Sequence, residues 1–157
     1  MPINMLYVDD DESMRAIVEV ACQDPDFIVT TAPSGQEALT LAHNNSFDLI
    51  LLDVVMPGLD GPATLALLRA QEGNESTPIA FLTAHTHPIE MDWLQSRDVI
   101  GVLAKPFFRQ SAQRHLLLIL IDWKHSGCFY QAVSRYCIRN GQRLRKYFLE
   151  ESVNSGF

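Results

Sequence analysis

A chain of 157 residues has room for one domain of ordinary size, about 100–150 residues. Its 47% hydrophobic and 20% charged composition can bury a real core, which excludes disordered, collagen-like and disulfide-scaffold classes. Twelve basic against nineteen acidic residues give a net charge of −7, which argues against a nucleic-acid binder that works through bulk charge.

Short apolar runs alternate with amphipathic stretches up to about residue 121. Met5 to Val8 reads as a buried first strand that runs into Asp9-Asp10-Asp11, with a helix near 12–22 after it. Asp24-Pro25-Asp26 breaks that helix, and Phe27 to Thr30 forms a second strand. Ser34 and Glu37 make a capping box that opens a helix to about His43. Leu49 to Leu52 is apolar on both faces, as a central parallel strand should be. Met56-Pro57-Gly58 turns the chain into a helix over roughly Gly61 to Gln71. Ile79 to Leu82 is the fourth strand, followed by a polar helix near 88–96. Ile100 to Leu103 is the fifth, and a helix from Phe107 to about His125 completes the pattern. Strands alternating with helices imply right-handed crossovers and a parallel sheet covered on both sides, an α/β architecture.

The chemistry-bearing residues sit where such strands end. Asp9 and Asp10 follow the first strand, and Asp53 follows the third. Ligands of open parallel sheets collect outside the carboxyl ends of the strands, so these acids converge if strands one and three are neighbours. Packed carboxylates repel unless a cation neutralises them, and hard oxygen donors suit Mg²⁺. Asp9-Asp10-Asp11-Glu12 is also a plain acidic helix start favoured by the helix dipole. Asp53 is harder to explain that way, because a carboxylate closing an apolar strand is costly to desolvate without a partner. Thr83 closes the fourth strand and Lys105 the fifth, adding a hydroxyl donor and a compact positive charge suited to phosphate oxygens.

With these residues assembled, the chain resembles the receiver domain of two-component response regulators over about residues 3–121. The resemblance is carried by Val8-Asp9-Asp10-Asp11-Glu12, by Leu51 to Gly61, by Leu82-Thr83-Ala84 and by Lys105-Pro106-Phe107. It implies a flavodoxin-like, doubly wound five-stranded parallel sheet of order 2-1-3-4-5. It further implies that Asp53 is the phosphoacceptor. Asp9, Asp10, Asp53 and the Val55 backbone carbonyl would be the Mg²⁺ ligands, Lys105 the phosphoryl-binding lysine and Thr83 the switch hydroxyl. The Lys105–Pro106 bond is expected to be cis on the same ground.

The implied partner is a sensor histidine kinase or phosphotransfer protein that gives its phosphoryl group to Asp53. The chain then catalyses only its own phosphorylation and dephosphorylation and signals to a downstream protein through contacts. Val102 stands where the family often has an aromatic ring that rotates with the threonine, so the response is expected either to run through Phe107, Phe108 or the tail or to be weaker. Val55 and His85 occupy positions that tune dephosphorylation in the family, and apolar Val55 offers no group to orient a water. A long-lived phosphoryl group is therefore expected.

Residues 122–157 form the second expected unit, a helical extension. Residues 1–121 hold 6 basic and 16 acidic groups, whereas 122–157 hold 6 basic and 3 acidic. Phe129 to Leu149 reads as one amphipathic helix with Tyr130, Val133, Cys137, Leu144 and Phe148 on one face and Arg135, Arg139, Arg143 and Lys146 opposite. Gly141 inside it costs roughly 1 kcal/mol relative to Ala, so the helix needs packing. Its apolar face packs on the receiver body or on a second copy of the chain in a homodimer, or it is a docking element whose exposure depends on phosphorylation; a basic helix on nucleic acid or membrane is a further reading. No direct DNA binding is expected, since the tail is too short for a winged helix. Three cysteines without CxxC spacing suit a reducing cytosol, and no signal-peptide pattern or long apolar run appears, so the expected location is cytoplasmic and away from membranes.

Two alternatives differ in class. A receiver-like module that works without phosphorylation would act through dimerisation or docking of its C-terminal helix. A phosphatase using Asp53 as nucleophile would need a second acid–base carboxylate two residues on, where Val55 stands. The five histidines lack metal-ligand spacing, and neither a G-x-S-x-G elbow nor a glycine-rich phosphate loop is present.

Overall fold

The structure, a computed structural model, describes residues 2–23, 25, 27–84 and 99–105. Eight elements follow in chain order: β1 (Ile3–Val8), α1 (Glu12–Ala21), β2 (Phe27–Ala32), α2 (Gly35–Asn44), β3 (Leu49–Asp53), α3 (Gly61–Arg69), β4 (Ile79–Thr83) and β5 (Gly101–Ala104). The strands form one parallel sheet of order β2-β1-β3-β4-β5, as the resemblance implied. The helices expected at 88–96, 107–125 and 129–149 lie outside the described residues. So do the boundary at 121/122, His85, Pro106, Phe107 and Phe108.

Each helix starts on a side chain that satisfies its orphan amides. Asp11 Oδ1 accepts from the amides of Ser13 at 2.8 Å and Met14 at 3.3 Å. Ser34 Oγ accepts from the Glu37 amide at 3.2 Å, and Asp60 Oδ1 from the Ala63 amide at 2.8 Å. The third acid of the Asp9–Asp11 run is thus the helix cap, and only the first two are left for other work.

The three inner strands are apolar on both faces. Leu6, Val8, Ile50, Leu52, Ile79, Phe81 and Val102 build one face of the core with Ala38 and Leu39 of α2 and Leu65 and Leu68 of α3. Met5, Tyr7, Leu49 and Leu51 alternate to the opposite face and are equally buried. β2 runs two residues past the expected Thr30, because Thr31 and Ala32 continue in register with Tyr7 and Val8. α3 stops at Arg69 rather than Gln71. The Arg69 guanidinium turns to the carbonyls of Asn74 and Thr77, at 2.9 and 2.7 Å, and Gly73 takes a positive φ of 89°.

Candidate phosphoacceptor and cation site

Parallel pairing puts the carboxyl ends of β1, β3, β4 and β5 on one edge. Met5 to Val8 lie beside Leu49 to Leu52, so Asp9 leaves β1 alongside Asp53 at the end of β3. Asp53 pairs with Leu82, which sets Thr83 one step further on, and Thr83 pairs with Ala104, which sets Lys105 beyond it. The Lys105 amide donates to the Thr83 carbonyl at 2.8 Å, and the Val54 amide to the Leu82 carbonyl at 3.0 Å. These main-chain bonds fix where each side chain leaves the sheet.

Asp9, Asp10 and Asp53 each offer a carboxylate oxygen, all within 4.8 Å of one another. Asp9 is fully buried and Asp53 nearly so, while Asp10 is exposed. Lys105 joins the two buried acids: its Nζ lies 2.6 Å from Asp9 Oδ2 and 3.1 Å from Asp53 Oδ2. The lysine expected to face a phosphate thus bridges two carboxylates here. Its ammonium is the cation that the crowded acids need.

The electrostatics follow from burial. Desolvation pushes the Asp53 carboxyl above its ordinary range, and the Lys105 charge only partly opposes it. Burial alone would pull the Lys105 amine down. Its bond to Asp9 and the charge of Asp53 outweigh that and hold the amine above the ordinary lysine range. The nearby Val55 backbone amide favours the charged carboxylate, though less than burial disfavours it; the Val55 side chain itself is exposed. Thr83 is almost fully buried at the end of β4, and Val102 is buried in the core rather than presented at the edge.

Two neighbours were not singled out from the sequence. The fully buried Tyr7 donates its hydroxyl to Asp9 Oδ2 at 2.5 Å. Burial, that bond and the surrounding acids push its phenol far above the ordinary range. Arg15 reaches from α1 to the Asp9 carbonyl at 2.8 Å. Tyr7 reads in sequence as one more strand hydrophobe; the signal that could have found it is its spacing of two from Asp9, which puts both on one face. Gly61 is tight for a different reason. A Cβ there would lie 2.5 Å from the Asp53 carbonyl oxygen and 2.8 Å from Val54 Cα, so the start of α3 presses directly on the strand end that carries Asp53.

Chemically, three hard oxygen donors at this separation fit a small divalent cation that keeps water or substrate oxygens in its remaining positions. A buried carboxylate faces an ammonium within ion-pair range. That combination suits the handling of a phosphoryl group.

The comparisons with known proteins point the same way. The family model for the response regulator receiver domain matches residues 5–117. The chain is similar to the sensor protein GacS of Pseudomonas syringae, 31% identical over 122 residues that cover 76% of this chain and 13% of that protein. It is also similar to the chemotaxis protein CheY of Pseudomonas aeruginosa, 32% identical over 109 residues, 69% of this chain and 88% of CheY. Other curated relatives are matched over about half their length. Among solved structures, the receiver domain of a P. aeruginosa sensor histidine kinase, with a magnesium ion coordinated in its active-site cleft, superposes with a TM-score of 0.68. That match has 30% identity and covers 80% of this chain and all of that one. Among the described residues, no helix is long and apolar enough to cross a membrane.

Proposed function

The chain belongs to the response regulator receiver domain family, and on that premise we propose that Asp53 accepts a phosphoryl group from a histidine kinase or phosphotransfer protein. One observation carries the reading: Asp9, Asp10, Asp53 and Lys105, drawn from three strand ends, meet within reach of one ion and one phosphate. An Asp53 carboxylate oxygen attacks phosphorus. The phosphorus–nitrogen bond of a phosphohistidine breaks, and the imidazole leaves with the electron pair.

Asp9, Asp10 and Asp53, with the Val55 carbonyl, would hold Mg²⁺, which neutralises charge on the phosphoryl oxygens when bound. Lys105 contributes its ammonium to another phosphoryl oxygen, and Thr83 donates its hydroxyl to a third. The acyl phosphate adds charge and acceptors beside Thr83, so a shift of Thr83 pulls the main chain after β4 and biases a two-state surface. Val102 has no ring and is locked in the core, so this switch runs without an aromatic rotation at that position. The exposed, apolar Val55 side chain cannot orient a water, which favours a long-lived phosphoryl group. The output is a contact with a downstream protein rather than turnover of a separate substrate, in keeping with receiver domains as signalling modules.

The test is incubation of the full chain with a small acyl-phosphate donor, with and without Mg²⁺, followed by intact mass. The expected result is Mg²⁺-dependent gain of one phosphoryl group that Asp53→Asn abolishes. Equal labelling of that variant contradicts the assignment.

A further inference from the structure

Strand side chains alternate, so Tyr7 and Asp9, two residues apart, leave the end of β1 on the same side. The Tyr7 ring is fully buried and would serve the core equally well as Phe, yet it carries a hydroxyl that reaches Asp9 Oδ2 at 2.5 Å. The same oxygen accepts from Lys105 Nζ at 2.6 Å, and Oδ1 accepts from the Asp11 amide at 3.0 Å. Both oxygens of Asp9 are therefore tied, and Oδ2 carries two donors.

These two donors differ in what they are free to do. Lys105 is shared with Asp53 and, under the function proposed above, must turn toward a phosphoryl oxygen. Tyr7 is held by the core and cannot follow. Once the amine leaves, the phenol is the remaining side-chain donor on Asp9 among the described residues. Carboxylates that ligate metals are commonly fixed by such outer hydrogen bonds, whose loss weakens metal binding by about 10–100-fold.

We propose that Tyr7 is a positioning residue for the cation site, its hydroxyl holding the Asp9 carboxylate in ligating orientation while Lys105 moves between partners. The proposal rests on the reading that Asp9, Asp10 and Asp53 bind Mg²⁺. The competing explanation is that a buried phenol needs some partner and Asp9 is merely within reach. In that case the hydroxyl matters to folding and not to the ion.

Calorimetric titration of the full chain with Mg²⁺ separates the two, using wild type, Tyr7→Phe and Asp10→Asn. Tyr7→Phe is expected to bind Mg²⁺ about 10–100-fold more weakly. Affinity equal to or tighter than wild type overturns the proposal. If Asp10→Asn loses binding while Tyr7→Phe keeps it, Tyr7 alone is wrongly assigned. If wild type binds no better than Asp10→Asn, the cation reading fails and the proposal with it. A second measurement needs no variant. The Tyr7 hydroxyl proton of the wild-type chain is expected as a protected, downfield magnetic resonance that shifts as Mg²⁺ is added; its absence, or its indifference to saturating Mg²⁺, also overturns the proposal.

Discussion

Asp53 is held at the end of a buried strand with most of its surface removed from water, and Lys105 returns only part of the lost hydration. Its pKa is therefore higher folded than unfolded, which fixes a sign. Its contribution to stability is fully favourable below the unfolded value of about 3.9 and is lost as pH rises through the raised folded value. At neutral pH without divalent cations the charged acid works against the fold. Asp53→Asn keeps the shape and removes the charge, while Lys105 keeps Asp9 as its partner. The variant is expected to be more stable at pH 7 by about 0.5–2 kcal/mol, the range of single stabilising substitutions. That advantage should shrink as pH falls toward 4 in paired urea titrations. A gap that widens on acidification contradicts the burial of a costly charge at this position.

Elements place these residues, and Gly61 shows how little room they have. The β3–α3 loop returns so closely that the Gly61 amide donates to the Val54 carbonyl at 2.9 Å, with no space for a Cβ against Asp53 and Val54 main chain. Gly61→Ala has to push α3 off the strand end. The expected cost is about 1–3 kcal/mol, the scale of overpacking, together with slower phosphoryl uptake at Asp53. A variant of wild-type stability and labelling rate would show that α3 does not set the position of Asp53. The described elements were largely legible in the sequence, because both-face apolar runs and capping side chains are local signals. Their ends were less so. β2 lengthens through pairing of Thr31 and Ala32 with β1, and α3 shortens because Arg69 is drawn to the carbonyls of Asn74 and Thr77. The first depends on a partner strand distant in sequence, the second on where the turn after the helix places two carbonyls.

Across the whole molecule, the parallel sheet of order 2-1-3-4-5 turns residues scattered from Asp9 to Lys105 into one edge. Strand-end positions of Asp9, Asp10, Asp53, Thr83 and Lys105 were readable from the pattern alone, since parallel strands all deliver their carboxyl ends to the same side. Two features were not readable. Lys105 turns to the two buried acids because uncompensated negative charge draws it there, a balance that depends on burial no sequence pattern reports. Tyr7 serves Asp9 because its ring is fixed by packing, and an aromatic in a buried strand carries no mark of that second role.

Under the proposed function, this edge binds a divalent ion and a phosphoryl group together, with Asp53 as the covalent acceptor. Fluorine magnetic resonance of the full chain with beryllofluoride, a phosphoryl mimic, tests it most directly. A bound signal is predicted only when Mg²⁺ is present and Asp53 is intact; the same signal without Mg²⁺, or in Asp53→Asn, would contradict it.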